Sequence, residues 1–213
     1  MDAAKIQLSS AEMALASDPS WILTKNSIMG KAVALMAELS GEFRAEWDNS
    51  ILPAGGNGGN DPKISKGENY KGLPYVILDY PRHFGREDVF AIRTMFWWGH
   101  SFHVTLHLKG KYQAMFLPVI RQRLSMLAAA GFQVAVSEDE WQHELSPENY
   151  RPFGALVTPG KDLPGSPSPA GGESPDLDGL PFLKLAAPCP LDKWNDAPSV
   201  LLELFRVLIR ALG

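Results

Sequence analysis

Two consecutive runs of alternating side chains, residues 89–98 and 101–108, constrain the fold of this 213-residue chain more than any other stretch. In the second run Phe102, Val104, Leu106 and Leu108 are apolar, while Ser101, His103, Thr105 and His107 are polar. In the first, Phe90, Ile92, Phe96 and Trp98 share one parity, and Val89, Ala91, Arg93, Met95 and Trp97 share the other. A period of two is that of a strand with one buried face. Gly99 between the runs marks a hairpin, and the length of its loop decides which residues share a face. A two-residue loop sets the histidines beside Phe96 and Ile92. A three-residue loop joins the two apolar rows and leaves Arg93 on the histidine face. Because a slip of one residue reverses every side chain, the sorted, three-residue arrangement is expected.

Residues 75–80 alternate as well, with Val76, Leu78 and Tyr80 opposed to Tyr75, Ile77 and Asp79, and Pro81 and Gly85 bound the turn that follows. The three strands, about 75–80, 89–98 and 101–108, form a central antiparallel meander. Helical patterning surrounds them. Ser9 and Glu12 have the spacing of a capping box, so a short helix runs to about residue 16. Asp18 and Pro19 restart the chain. The main N-terminal helix is expected over 26–47, where Ile28, Ala32, Leu35, Met36, Leu39, Phe43 and Trp47 recur every three or four residues and read as core. A second helix covers 111–130, with Gly131 as its left-handed cap and Pro118 opening its well-formed half. Residues 132–136 read as a strand that 141–145 pairs across the acidic turn at 137–140. Residues 180–186 read as a last strand and 196–212 as a closing helix. Short turns between strands, with helices before, between and after them, define an α+β fold: an antiparallel sheet packed by N-terminal, central and C-terminal helices. The chain reads as one domain over 1–213. The Gly- and Pro-rich segments 48–72 and 158–179 are expected to be mobile, since they bury too little to offset ordering.

Composition excludes several classes. A net charge of −4 and a pI near 5.7 argue against nucleic-acid binding, which calls for a basic face. The single cysteine, Cys189, leaves no internal disulfide and no thiolate metal cluster within one chain. The first residues lack the long apolar run of a signal peptide. The longest apolar stretch, 200–212, is interrupted by Glu203, Arg206 and Arg210 and is too short to span a bilayer. A soluble, cytoplasmic protein without a membrane partner is expected.

No catalytic motif stands out, and the sequence names no cofactor. His103 and His107 would be one turn apart on a helix, but on a strand their roots stand about 13 Å apart, too far to converge simply on one ion. Glu140 and His143 match half of a carboxylate-bridged di-metal motif whose second half is missing. The glycines at 55–59 lack the Gly-Lys-Ser/Thr ending of a phosphate loop. Cys189 lies between prolines without a neighbouring base. The carboxylates at 87–88 and 138–140 fall in turns, where solvation is the ordinary outcome.

What remains is electrostatic. Arg93, His103 and His107 share a face with Thr105, Met95 and Trp97. Asp79 has the matching parity, and Arg82 and His83 lie at the turn above. An arginine fork with histidine donors beside a large aromatic suits a carboxylate, phosphate or aromatic ligand. The competing use of the same residues is internal, Asp79 pairing with Arg93 and the histidines meeting water or the acidic turn. The expected function is binding of a small anionic or aromatic ligand over this face. Arg93 would be the charge anchor, His103 and His107 the donors, and Trp97 the stacking wall. Two alternatives accompany it: homo-oligomeric or partner assembly through the broad apolar arc of helix 197–212, and a metal-dependent or hydrolytic enzyme built from the scattered histidines and carboxylates.

Overall fold

The computed structural model describes residues 6–52, 61–153, 177 and 179–213. Within them the strands are β1 (Lys63–Tyr70), β2 (Leu73–Phe84), β3 (Val89–Trp97), β4 (Ser101–Lys109), β5 (Gln133–Ala135), β6 (Tyr150–Pro152) and β7 (Leu183–Pro190). They form one sheet in the order β1-β2-β3-β4-β7-β5-β6, and every pairing is antiparallel. The helices are α1 (Ser10–Ser17), α2 (Pro19–Glu46), α3 (Lys111–Gln122), α4 (Leu124–Ala129) and α5 (Ala197–Leu212). The α+β architecture is the one the patterning implied.

The central hairpin has the sorted register. Phe96 opposes Phe102 and Trp97 opposes Ser101, so Trp98, Gly99 and His100 form a three-residue connection. Gly99 supplies the positive φ, +74°, that this turn requires. Opposed residues in an antiparallel pair share a face, so Arg93 stands beside Thr105, Met95 beside His103 and Ala91 beside His107. The opposite parity of β2, β3, β4 and β7 supplies Val76, Leu78, Phe90, Ile92, Phe102, Val104, Leu106, Leu183 and Leu185 to the main core. The buried faces of α2, α3 and α5 close over them, and the Phe43 and Phe205 rings stack at 3.9 Å where α2 meets α5. Burying side chains of this size contributes roughly 1.5–3 kcal/mol each, so the apolar row anchors the sheet to its helices.

Several expected boundaries move, each for a physical reason. β1 lies inside the segment 48–72 read as a mobile connection. It is an edge strand whose side chains are mostly exposed, so pairing with β2 rather than apolar alternation holds it. Residues 53–60 and most of the second expected mobile segment lie outside the described residues. β2 does not end at Tyr80. It continues through Pro81 with a register shift between Asp79 and Arg82, where a proline without an N–H can be accommodated. α2 begins at Pro19 rather than near Asn26, because the Asp18 carboxylate accepts the Ser20 N–H at 2.8 Å. The expected helix 111–130 is two helices that break at Arg123, and Pro118 sits inside α3 instead of opening a half. Segment 141–145 is not a strand; β6 is the partner of β5.

The broad apolar arc of α5 faces inward. Ala197, Leu201, Leu204, Phe205, Val207, Leu208, Ala211 and Leu212 are all buried within the chain, which removes the reason for expecting an interface through 197–212. The exposed apolar groups lie elsewhere: α1 buries no side chain, and Ile6, Leu8, Met13, Leu15, Trp21 and Leu23 are exposed along the N-terminal arm. No helix among the described residues is long and apolar enough to cross a membrane.

Candidate functional site

Because the apolar row of each strand faces the helices, the other face of the sheet carries what is left. Asp79 from β2, Arg93 from β3, Thr105 and His107 from β4 and Lys184 from β7 form a row across four neighbouring strands, by the pairs Asp79–Arg93, Arg93–Thr105 and His107–Lys184. His103 lies two residues along β4. Asp79, His103, Thr105, His107 and Lys184 are all buried. Water is excluded by residues 136–149, which leave β5, fold back across this face as a strap and return at β6.

The strap is fastened from below at several points. The Lys184 Nζ donates to the Glu140 carbonyl at 2.8 Å and to the Gln142 carbonyl at 2.5 Å. Lys109 Nζ donates to Glu140 Oε1 at 2.8 Å. The His143 N–H donates to the Tyr70 hydroxyl at 2.8 Å, and the Tyr150 hydroxyl donates to the Gln142 carbonyl at 3.1 Å. Lys71 pairs with Glu144 at the far end. An Asp139 carboxylate that accepts the Trp141 N–H at 2.9 Å sets the turn from which Trp141 reaches over the Phe84 and His107 rings.

Within the cluster, the Arg93 guanidinium is already engaged. Its Nε and Nη2 donate to the two Asp79 oxygens at 2.7 and 3.0 Å, and its Nη1 lies 3.0 Å from His143 Nε2. Guanidinium has no acceptor, so His143 Nε2 accepts and the proton of a neutral ring sits on Nδ1. That Nδ1 faces Lys184 Nζ at 3.4 Å. An amine donating two N–H groups to carbonyls has one site left, and only the lone pair of the uncharged form suits an Nδ1–H. The hydrogen-bond pattern therefore assigns Lys184 as a neutral amine. Burial, with help from the Arg93 charge, pushes its pKa down to about 7.

The histidines respond to the same surroundings. Burial first, then the positive charges of Lys184, protonated below about 7, and of Arg93, pushes the pKa of His103 down to about 3. The same causes lower His107 to about 4 against an opposing pull from Glu140, and hold His143 well below the ordinary imidazole range. All three rings are neutral at pH 7. Among the described residues, both ring nitrogens of His103 and the Thr105 hydroxyl have no hydrogen-bond partner. His107 Nε2 is 3.1 Å from Glu140 Oε2, near enough for an ion pair but off the line of a hydrogen bond. A cavity of about 10 Å³ bounded by Arg93, Thr105, His107, His143 and Lys184 has room for roughly one water.

Of the seven residues singled out from sequence, five meet on this face. Arg93, Asp79, His103 and His107 belong to the cluster. Trp97 forms its edge: the indole donates to the Tyr70 carbonyl at 3.3 Å and stacks on His100 at 3.4 Å. Arg82 and His83 do not join them. The Arg82 guanidinium turns to the Asp61 carbonyl, and the register shift puts His83 opposite Phe90, with its ring against Tyr112 on the helix side. Sequence reasoning missed Lys184 and Tyr70, and named Glu140 and His143 only as half of a metal motif, with the acidic turn as a partner for the histidines. Lys184 alternates with Leu183 and Leu185, so parity marked it as facing away from the core. Nothing local placed β7 beside β4.

Beside the strap, Trp97, His100, Ser101, Gln133, His143 and Ser146 help to line an open cleft of about 280 Å³. His143 lines both this cleft and the inner cavity. Among the described residues, no group of three or more His, Cys, Asp or Glu side chains is placed to hold a metal ion. No protein-family model, curated protein or solved structure matches this chain.

Proposed function

We propose that the protein binds a small aromatic ligand with polar substituents in the cleft beside the strap. One observation carries this reading: a stacked Trp97–His100 pair lines the same open recess as Ser101, Gln133, His143 and Ser146. Rigid aromatic surface with a few convergent polar groups is how small-molecule sites combine affinity with orientation. A recess of about 280 Å³ suits one ring system. Anion binding on Arg93 itself has weaker support, because Asp79 occupies two edges of the guanidinium and His143 a third N–H. The alternatives lack a comparable observation: the α5 arc is internal, and the cluster holds its carboxylates on Arg93 and Lys109.

The test is a screen of single-ring aromatics by thermal shift and ligand-detected NMR, on the natural chain and on His100→Ala and Gln133→Trp. The first removes part of the wall and the second fills the recess. Ligands that stabilise the natural chain are expected to lose at least about tenfold in affinity for both variants, roughly 1.4 kcal/mol. Equal responses in all three proteins overturn the assignment.

A further inference from the structure

The contact between Arg93, His143 and Lys184 has no room for another proton. Arg93 Nη1 can only donate, so His143 Nε2 must accept; Nδ1 then carries hydrogen, so Lys184 Nζ must accept. A proton added to Lys184 sets an ammonium against Nδ1–H. Moving the ring proton to Nε2 sets it against the guanidinium instead. A proton added to His143 places an imidazolium between a guanidinium and an amine. Every alternative breaks a contact that Lys184 or His143 makes while fastening the strap.

We propose that the strap 136–149 is a proton-operated lid: it closes over a deprotonated Lys184 and opens with uptake of a proton by that amine. The idea stands apart from the ligand reading, since it concerns how the strap is held whether or not the cleft is filled.

The surroundings fix the direction. Facing Lys184 are Arg93 from β3, His103 and His107 from β4, Asp79 from β2 behind Arg93, and Asp139, Glu140 and His143 from the strap. Tyr70 and Tyr150 hold the strap on either side. Asp79 is committed to Arg93 and Glu140 Oε1 to Lys109, and although the Asp139 and Glu140 charges favour an ammonium, burial and the Arg93 charge outweigh them. In the closed state Lys184 gives up its proton at about 7, against 10.5 for an ordinary lysine. The open strap therefore binds one more proton than the closed one between those values. Linkage makes opening about tenfold more frequent for each unit the pH falls through that window. Opening then levels off just below 7 until His143, held low in the closed state, begins to take a proton in the open one below about 6.5.

Hydrogen exchange of the full chain, corrected for the intrinsic pH dependence of amide exchange, reads this directly. Between pH 9 and 7 the protection of strap amides 139–146 is expected to fall about fiftyfold, at every pH remaining weaker than that of α5, while amides of α1, which fray without releasing Lys184, keep theirs. Lys184→Met, which takes no proton, should lose the dependence. Strap protection no weaker than that of α5, or an unchanged slope in a folded Lys184→Met, overturns the lid. So does flat protection in the natural chain. Should the variant fail to fold, the ¹³Cε resonance of Lys184 in the natural protein decides: a midpoint near 7 supports the lid, and one near 10.5 refutes it.

Discussion

His103 separates a structural from a functional reading of the polar face. Its ring is 1% exposed, opposes Met95 and Pro188 in the register, and has no partner at either nitrogen among the described residues. If the ring serves no ligand, it is a polar group the fold tolerates at a cost, and leucine of similar volume should do better. Leaving a buried donor or acceptor unmade costs roughly 1–3 kcal/mol. His103→Leu should therefore gain about 1–3 kcal/mol at pH 7.5. The gain should widen in acid. The folded pKa of about 3 lies below the ordinary 6.5, so between those values the unfolded chain holds a proton that the folded chain does not. The natural protein thus loses roughly 1.4 kcal/mol per pH unit through this ring as pH falls. By pH 4.5 that adds about 2.7 kcal/mol to the variant's advantage. Urea unfolding at pH 7.5 and 4.5, with unchanged m-values, measures both quantities. A variant that is destabilised by more than about 1 kcal/mol at pH 7.5, or whose advantage fails to grow in acid, refutes the reasoning. Its ring nitrogens would then have a partner, and His103 would return to the candidate ligand donors.

Two further substitutions examine the frame around it. Asp79→Ala leaves the Arg93 guanidinium, 15% exposed along its side chain, without its two carboxylate bonds and should cost roughly 3–5 kcal/mol. Adding Arg93→Met should recover much of that loss in urea melts, and a double variant no better than the single would count against the pairing as the source. Gly110 and Gly131 both have positive φ, +61° and +80°, but a Cβ at Gly110 meets the Glu87 carbonyl oxygen at 2.5 Å, whereas Gly131 faces open space. Gly131→Ala should cost about 1 kcal/mol and Gly110→Ala clearly more by thermal melting; equal losses would show that the β4–α3 turn yields to the added atom.

Much of the candidate site could be read along the chain, because it sits on a hairpin. Alternation and a three-residue loop are local properties, and together they put Arg93, Trp97, His103 and His107 on one side of the sheet. Asp79 followed by parity on the adjacent strand. Arg82 and His83 were expected at a turn, but β2 continues through them, and the register shift sets Arg82 opposite Ala91 and His83 opposite Phe90. β1 was overlooked because an edge strand facing solvent needs no apolar rhythm.

The sequence by itself determined the α+β class, the meander and which row of each central strand is apolar, since those depend on neighbours one to four residues apart. Tertiary structure alone decided what the polar row is for. Lys184 reaches the strap across 42 to 44 residues of chain and His143 reaches Arg93 across 50. Such contacts depend on β7 inserting between β4 and β5, an order that side-chain periodicity does not encode. The burial that follows keeps the histidines uncharged and brings Lys184 down to about 7, so the basic face suggested by residue types is, in the folded protein, a closely packed cluster of low charge beneath a strap.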